Sequence, residues 1–267
     1  MIRTSAPGQG RVARAVRAAA TAVLPVDLRN WIRAQQRRWG LQWNRIGSIR
    51  FGDLRRVSPI SPVFGRDRGR TVDRHYIEQF LEACASDIRG RVLEMMDDDY
   101  TRKFGGARVT RSDVLHSVPG NAKATIVADL TRDNAIPDDT FDCIVCTQTL
   151  QFIYEPRPAL RQLWRILRSG GVLLLTAHGT SRIGRREGID QWGEYWRFTA
   201  QSLRRLVVEA FGADNVRIDV YGNVLAAVAS LHCLAAAELT PAELDYHDPD
   251  YEVVLAARAV KVSEDRS

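Results

Sequence analysis

The chain has 267 residues, of which 45% are hydrophobic and 26% are charged, as in soluble globular proteins. This length suits one domain of ordinary size plus an extension. No apolar run approaches the roughly 20 residues that a bilayer-spanning helix needs. The arginine-punctuated N-terminal stretch also lacks the continuous apolar core of a secretory signal. These features predict a cytoplasmic protein.

Positive charge is concentrated at one end of the sequence. Residues 1–70 hold 15 arginines, no lysine and three aspartates, a net charge of +12. The whole chain carries +6, which leaves −6 for residues 71–267. We therefore predict two domains: a basic, Arg/Trp-rich helical extension with a linker over residues 1–70, and an acidic folded domain over residues 71–267.

The extension contains a helical pattern from about Asp27 to Trp43, in which apolar and arginine side chains take different sides. The pattern is compatible with three interpretations. The tryptophans pack on the folded domain, or residues 1–45 make a peripheral membrane or protein contact, or they bind nucleic acid. The acidic body makes nucleic acid the least favoured partner.

The four cysteines do not predict a metal site. Cys143 and Cys146 lie in an apolar run that reads as a buried strand, and residues three apart on a strand point to opposite faces. No second pair exists to complete a zinc site. We expect these thiols to pack in the core and no metal to be bound.

Strands and helices alternate after residue 72. Strands are predicted at Arg91–Met96, near Arg108–Thr110 and ending at Asp113, and at Thr125–Ala128, Phe141–Cys146, Val172–Thr176, Val216–Tyr221 and Glu252–Val260. Helices are predicted at Val72–Cys84, at Ala159–Leu167, and in an alanine-rich insertion from about Val224 to Leu239. This rhythm predicts an α/β fold with a doubly wound, mainly parallel sheet and right-handed crossovers.

Candidate site residues follow from the strand ends, because a doubly wound sheet binds its ligand beyond the carboxyl ends of its strands. Asp113 lies 19 residues after Glu94, close to the roughly 20-residue separation expected for a carboxylate that holds ribose hydroxyls. Alternatively, Asp113 ends a strand and caps the next helix. Thr147 is a further strand-end candidate.

Two stretches carry a family resemblance: FDCIVCTQTLQFI over residues 141–153 and RILRSGGVLLLT over residues 165–176. In this order they resemble the second half of a class I S-adenosylmethionine-dependent methyltransferase domain of the type 11 kind. The resemblance covers roughly residues 72–261. It implies the Rossmann-like methyltransferase fold, with a seven-stranded sheet whose last two strands form an edge hairpin, and S-adenosylmethionine as cofactor.

The resemblance also bears on individual residues. The family signature after the first strand is roughly E-x-G-x-G-x-G; here Glu94 matches the acidic position, while Met96, Asp98 and Tyr100 occupy the glycine positions. Acidic side chains disfavour a dinucleotide pyrophosphate but suit the cationic groups of S-adenosylmethionine. Asp129-Leu130 matches the family's adenine acceptor and its apolar neighbour. The predicted cofactor-binding residues are thus Glu94, Asp113, Asp129, Leu130 and Thr147.

Methyl transfer is an in-line displacement, so a general base is needed only for a hydroxyl or a protonated amine. His178, just after the fifth strand, is the best-placed candidate for a catalytic base; otherwise it is structural. Trp196 and Phe198 belong either to the core or to an aromatic surface suited to a sugar. The predicted acceptor-binding residues are Gln148, Gln151, Trp192, Tyr195 and Arg197.

The sequence thus leads to two functional hypotheses. The first is a methyltransferase acting on a small-molecule or glycosyl acceptor, by O-methylation in glycan or secondary-metabolite biosynthesis. The second is a non-catalytic, methyltransferase-like scaffold recruited through its basic N-terminal arm, motivated by the missing glycines and the +12 extension.

Overall fold

The computed structural model describes residues 24–39, 49–184 and 193–262. The chain divides into two compact units between Arg56 and Val57. In the described part of the first unit, helix α1 spans Val26–Arg38 and a short 3-10 turn spans Gly52–Leu54. The predicted helix was longer, but its last predicted residue, Trp43, lies outside the described residues. Along α1 and just after it, Trp31 and Trp39 are 59% and 67% exposed.

The linker belongs structurally to the second unit. The amide of Ile60 donates to the carbonyl of His232 at 3.0 Å, and the amide of Ala236 donates to that of Arg70 at 2.7 Å. Gly65 has a φ of +81°, and a Cβ there would lie 2.6 Å from the carbonyl oxygen of Cys233. This close approach requires glycine. The second unit therefore begins near residue 57, whereas the sequence predicted residue 71.

The second unit is built on one seven-stranded sheet. Its strands are β1 (Gly90–Met95), β2 (Val109–His116), β3 (Ile126–Val127), β4 (Phe141–Thr147), β5 (Leu167–His178), β6 (Val216–Tyr221) and β7 (Val254–Val260). The spatial order is β3-β2-β1-β4-β5-β7-β6. The first five strands are parallel, and β7 runs antiparallel to both β5 and β6. This confirms the predicted doubly wound sheet with an antiparallel edge.

Helices cover both faces of this sheet: α2 (Val72–Ala83), α3 (Pro156–Ile166), α4 (Ala200–Phe211), α5 (Val224–Leu231) and the short α6 (Pro241–Asp245). On one face, α3 and α4 pack against Ile144 and Cys146 of β4; on the other, α2 and α5 pack with Cys143 and Val145. The two cysteines therefore face opposite layers, as the strand periodicity predicted. None of the helices in the described part of the chain is long and apolar enough to cross a membrane.

Several predicted elements have different bounds in the structure; β5, for example, begins at Leu167 rather than Val172. Strand β2 continues three residues beyond Asp113, to His116. The alanine-rich insertion is not one helix but α5, a 3-10 turn at Ala236–Glu238 and then α6. Between β1 and β2, where the sequence predicted no helix, the chain forms a five-residue π-turn, Thr101–Gly105, followed by a 3-10 turn, Gly106–Arg108.

A buried lysine fastens the edge of the sheet opposite the carboxyl ends of the parallel strands. The Nζ atom of Lys261 donates to the carbonyl of Leu167 at 2.7 Å and to a carboxylate oxygen of Asp139 at 2.8 Å. It also lies 4.3 Å from the ring centroid of Trp164. Because these partners satisfy the ammonium group, a lysine can be buried here.

Candidate functional site

Glu94 organises the chain that leaves β1. It is 1% exposed, and its carboxylate accepts the backbone N–H of Thr101 at 2.7 Å and that of Tyr100 at 3.2 Å. Burial raises the pKa of Glu94 to about 7, although the hydrogen bonds oppose that rise. The carboxylate therefore holds the loop after β1 in place, and this loop lines the carboxyl end of the central strands.

Met96, at a glycine position of the family signature, has a left-handed backbone conformation. Its φ is +75°, a left-handed conformation that few non-glycine residues adopt. The amide of Met96 donates to the carbonyl of Leu115 at 3.0 Å, and the side-chain amide of Asn121 donates to the carbonyl of Met96 at 2.6 Å. The turn is thus fastened to β2 and to the loop that follows β2. Sequence reasoning missed Asn121, since its contact is 25 residues distant.

The three aspartates after Met96 have separate partners. Asp98 pairs with Arg102 at 2.7 Å, and Asp99 pairs with Lys123 at 3.2 Å. Asp97 accepts the backbone N–H of Asp99 at 3.2 Å and is only partly buried. Of the three, Asp97 has no ion pair among the described contacts, so its carboxylate is the one available to a cationic ligand.

Asp113 does not lie at a strand end. It faces Leu93 in the middle of β2, and its carboxylate pairs with Arg91 at 2.7 Å and Arg111 at 3.1 Å. Burial alone would raise its pKa, but the two guanidinium groups hold the pKa of Asp113 below its ordinary value. The strand-end premise of the ribose prediction is therefore wrong, and this carboxylate braces β1 against β2.

His116 is the residue that ends β2. Its side chain is buried, with Nδ1 at 2.7 Å from the carbonyl of Val118. Since β2 is adjacent to β1, this end of β2 borders the loop that Glu94 holds. His116 would have been a candidate from the sequence if β2 had been predicted to end at residue 116 instead of Asp113.

Asp129 and Leu130 follow the short strand β3. Asp129 is exposed, and its carboxylate accepts the hydroxyl of Thr131 at 2.7 Å and the backbone N–H of the same residue at 2.8 Å. These hydrogen bonds, led by the hydroxyl, hold the pKa of Asp129 below its ordinary value. Leu130 is buried in the core. Asp129 thus offers an ionised carboxylate that can accept hydrogen bonds, and the neighbouring Leu130 is fixed in the core.

Two glutamines that follow β4 form hydrogen bonds at the ends of β4 and β5. After Thr147, the last residue of β4, Gln148 has a φ of +48° and donates its backbone N–H to the carbonyl of Thr176 at 2.9 Å. The side-chain amide of Gln151 donates to the carbonyl of Gln148 at 3.0 Å. Gln151 is fully buried, and its Oε1 has no hydrogen-bond partner within residues 24–39, 49–184 and 193–262.

The segment from Tyr195 to Phe198 crosses the ends of both strands. The amide of Tyr195 donates to the carbonyl of Gln151 at 2.8 Å, and that of Phe198 donates to the carbonyl of His178 at 3.0 Å. Three predicted site residues, Gln151, His178 and Tyr195, are thereby brought to one rim. Trp192 lies outside the described residues.

Arg197 is an exposed residue whose guanidinium is ion-paired and lines the cavity described below. It pairs at 2.7 Å with Glu194, whose side chain is buried, and donates to the carbonyl of Arg182 at 2.9 Å. The carboxylate of Glu194 also accepts the backbone N–H of Gly184. The guanidinium is paired with Glu194, and the pair ties residues 182–184 to residues 194–197. The acceptor-binding role of Arg197 stays a prediction.

His178 ends β5 beside that pair. Its Nδ1 is shielded from solvent and has no hydrogen-bond partner in the described part of the chain. Burial, the largest influence, lowers the pKa of His178, while the charges of Asp73 and Glu194 oppose the shift. The imidazole is thus neutral at physiological pH, and the one ring nitrogen that bears no proton is able to accept one.

A cavity of about 500 Å³ opens just beyond His178, where Gly179 and Phe198 form part of its wall. The other lining residues include the polar side chains of Thr180, Thr199, Gln201, Asp250 and Glu252. Its size and lining suit a polar small molecule.

The strand order, the reversal between β1 and β4, and the loop braced by a buried glutamate define a class I methyltransferase fold. Residues 78–175 match the family model described as a methyltransferase domain. Over residues 78–175 the chain is thus similar to the methyltransferase domain family.

Curated relatives are distant. The chain is 28% identical over 172 residues to the ubiquinone/menaquinone biosynthesis C-methyltransferase UbiE of Enterobacter sp. (strain 638), a match that covers 54% of this chain and 63% of that protein. A Yersinia pestis (strain Pestoides F) protein of the same name is 25% identical over 201 residues, covering 58% of this chain and 78% of that one.

Among solved structures, the N-methyltransferase NodS from Bradyrhizobium japonicum WM9 is 17% identical, with a TM-score of 0.44. That match covers 72% of this chain and 97% of that one.

The residues at the carboxyl edge fit the cofactor of this class. S-adenosylmethionine carries cationic ammonium and sulfonium groups, and the edge offers the carboxylates of Asp97 and Asp129, neither of which is fully buried. The left-handed backbone at Met96 keeps the turn that lets main chain approach a ligand closely. Glu94 contributes indirectly, since its carboxylate is occupied by the loop it holds.

Proposed function

We propose that this protein is an S-adenosylmethionine-dependent methyltransferase that methylates a hydroxyl group of a small-molecule or glycosyl acceptor. The observation that carries the proposal is the shielded and unpartnered Nδ1 of His178 at the end of β5, on the same edge of the sheet as the acidic loop after β1. A buried polar atom without a partner is costly in a folded protein. A ligand group that hydrogen-bonds to it would remove that cost.

The cofactor, when bound, would supply a methyl group on a sulfonium. The bond from the methyl carbon to sulfur breaks, and the sulfur leaves as a neutral thioether that needs no proton. In this proposal Asp97 and Asp129 hold the cationic and hydrogen-bond-donating parts of the cofactor. Leu130 and Thr147 border it, and Glu94 keeps the loop in shape. The turn at Met96 lets the backbone approach.

His178 acts as the general base. Because burial keeps the imidazole neutral, it accepts the hydroxyl proton as the acceptor oxygen bonds to the methyl carbon. The negative charges of Asp73 and Glu194 favour the imidazolium that results. Gln148 and Gln151 orient the acceptor, with the free Oε1 of Gln151 as a hydrogen-bond acceptor for a second hydroxyl.

The names of the relatives point to an alternative reaction, in which the methyl group is transferred to carbon instead of oxygen. The Enterobacter and Yersinia proteins are named as C-methyltransferases, and a carbon nucleophile also loses a proton. The polar cavity beyond His178 supports a hydroxyl-bearing acceptor, and with it a role in glycan or secondary-metabolite biosynthesis. Position-specific NMR of the methylated product distinguishes O–CH₃ from C–CH₃.

The test is a transfer assay with methyl-labelled S-adenosylmethionine and a panel of sugars, glycosides and phenols. We expect labelled product from wild type and a loss of about 10²–10⁴-fold in kcat for His178→Asn, the range of general-base catalysis. The wild-type rate should rise with pH to a plateau with a midpoint below 6.5, since the pKa of His178 is lowered from that value. Full activity of His178→Asn would overturn the base assignment.

A second candidate function is a recruited scaffold, which the exposure of Trp31 and Trp39 on a basic segment supports. Aromatic and arginine side chains together suit an anionic membrane surface. Deletion of residues 1–45 should then abolish sedimentation with phosphatidylglycerol vesicles, while phosphatidylcholine vesicles serve as the control. Unchanged sedimentation with the anionic vesicles would show that residues 1–45 do not recruit the protein to a membrane.

A further inference from the structure

Three aromatic rings lie exposed at the rim that carries Gln151. We call Tyr154, Tyr195 and Trp196 the aromatic cluster; their residues are 67%, 53% and 39% exposed. Single exposed aromatic residues are ordinary, but here the ring of Tyr154 contacts both of the others, so the three form a contiguous apolar patch. Such patches mark binding sites. The neighbouring Phe198, in contrast, is buried in the core.

The cluster is held in a fixed arrangement. The rings of Tyr154 and Trp196 stack with centroids 6.3 Å apart, and those of Tyr154 and Tyr195 meet edge to face at 5.2 Å. The indole N–H of Trp196 donates to the carbonyl of Ile153 at 3.0 Å. Since the indole has a single donor, this bond fixes the ring, and an aromatic face rather than a polar edge is left for a ligand.

The cluster is also anchored to the candidate catalytic edge. The backbone amides of Tyr195 and Trp196 both donate to the carbonyl of Gln151, at 2.8 and 3.3 Å. The ring of Trp196 lies 6.5 Å from that of Phe198, which lines the cavity beyond His178. A ligand seated on the cluster would therefore extend toward His178.

From this arrangement we propose that the aromatic cluster is a carbohydrate-binding subsite, on which a sugar ring stacks so that a hydroxyl is presented toward His178. This assignment rests on the proposed function and specifies its acceptor class. A pyranose ring has apolar C–H faces and a polar rim. Its faces match the exposed aromatic rings, and its hydroxyls match the polar side chains that line the neighbouring cavity.

The polar lining argues against a flat apolar acceptor. An extended hydrocarbon or quinone needs a largely apolar wall, whereas this cavity is walled by Thr180, Gln201, Asp250 and Glu252 among others. A phenolic ring would stack on the cluster as well, but it has too few hydroxyls to hydrogen-bond with these water-facing groups. The sugar uses both surfaces together.

The experiment is saturation-transfer-difference NMR on the full chain, without cofactor. The probes are the methyl glycosides of glucose, galactose, mannose and N-acetylglucosamine, with hydroquinone as a flat aromatic comparison. We expect saturation of ring C–H protons of at least one glycoside. Tyr154→Ala and Tyr195→Ala should each weaken its affinity by about fivefold or more, the size of one lost aromatic contact. Tyr246→Ala, which removes a tyrosine that is 56% exposed outside the cluster, should leave it unchanged.

Two outcomes overturn the assignment. Saturation of hydroquinone alone, lost in the same variants, would make the cluster a site for aromatic acceptors. No saturation of any glycoside, or equal saturation in Tyr195→Ala and wild type, would remove the sugar subsite. Calorimetric titration with S-adenosylmethionine on the same samples separates the two proposals: sugar binding without cofactor binding would keep the subsite and reject the methyltransferase function.

Discussion

We predict that the free energy of unfolding falls as the pH rises because of Glu94, and that Glu94→Gln abolishes this dependence. Its carboxyl group is buried, and its pKa rises from 4.5 to about 7. A raised carboxyl pKa means that the native state binds the proton more tightly than the unfolded chain does. The stabilisation is therefore complete below pH 4.5 and is lost as the pH rises through about 7. Each tenfold change in acid dissociation is worth about 1.4 kcal/mol, so the loss is about 3 kcal/mol.

Glu94→Gln should abolish this dependence, because the amide does not titrate. Its oxygen can replace one of the two carboxylate oxygens that accept backbone N–H groups. Urea denaturation of wild type and variant at pH 5, 6, 7 and 8 measures the difference in their free energies of unfolding. We expect wild type to lose about 2–3 kcal/mol relative to Glu94→Gln over that range. Asp99→Asn, which changes an exposed carboxylate of the same loop, is the control and should track wild type. Parallel curves for wild type and Glu94→Gln would refute the burial of this carboxyl group.

Three further predictions concern residues of the sheet and the loop. Lys261→Met leaves Asp139 and the carbonyls of Arg165 and Leu167 without their shared donor. The substitution should lower the free energy of unfolding by about 2–4 kcal/mol in urea denaturation; a loss under 0.5 kcal/mol would contradict that. Met96→Val should cost about 1–2 kcal/mol more than Met96→Gly in differential scanning fluorimetry converted to free energy, because a β-branched residue resists positive φ; equal costs would argue against the left-handed turn. Asp113→Asn should lower the free energy of unfolding by about 1–2 kcal/mol yet leave cofactor affinity within about twofold by calorimetry, whereas a large loss of affinity would return Asp113 to the binding site.

The sheet was predictable because its signals are local. Apolar runs such as Cys143–Cys146 and helices of matching length each fix one element. The rule that parallel strands are joined by right-handed crossovers then leaves few ways to assemble them. The edge hairpin of β6 and β7 came from the family resemblance, and the observed pairing confirms it.

The end of β2 was misjudged because its middle is polar. Arg111, Ser112 and Asp113 interrupt the apolar pattern, and only Arg91 on the neighbouring strand explains how a carboxylate is accommodated there. That partner is 22 residues away in the chain, so no local pattern reveals it. For the same reason the sequence did not indicate that His116 ends the strand.

The loop after β1 was hard to interpret for a different reason. Replacement of glycines suggests a lost turn, but whether a non-glycine residue adopts positive φ depends on contacts made elsewhere. Here the carbonyl of Leu115 and the side chain of Asn121 bind both sides of Met96. Likewise, whether Trp196 lies in the core or at the surface depended on packing, and the structure leaves its ring partly exposed.

The central claim is that this acidic, glycine-poor loop still forms a cofactor site. Calorimetric titration with S-adenosylmethionine and S-adenosylhomocysteine tests it most directly, with Asp129→Ala as the site variant and Asp133→Ala, a nearby aspartate of the following loop, as the matched control. The account predicts wild-type binding on the order of micromolar Kd, weakened about tenfold or more in Asp129→Ala and unchanged in Asp133→Ala. No heat of binding from wild type at millimolar ligand would contradict it and leave the recruited-scaffold function in its place.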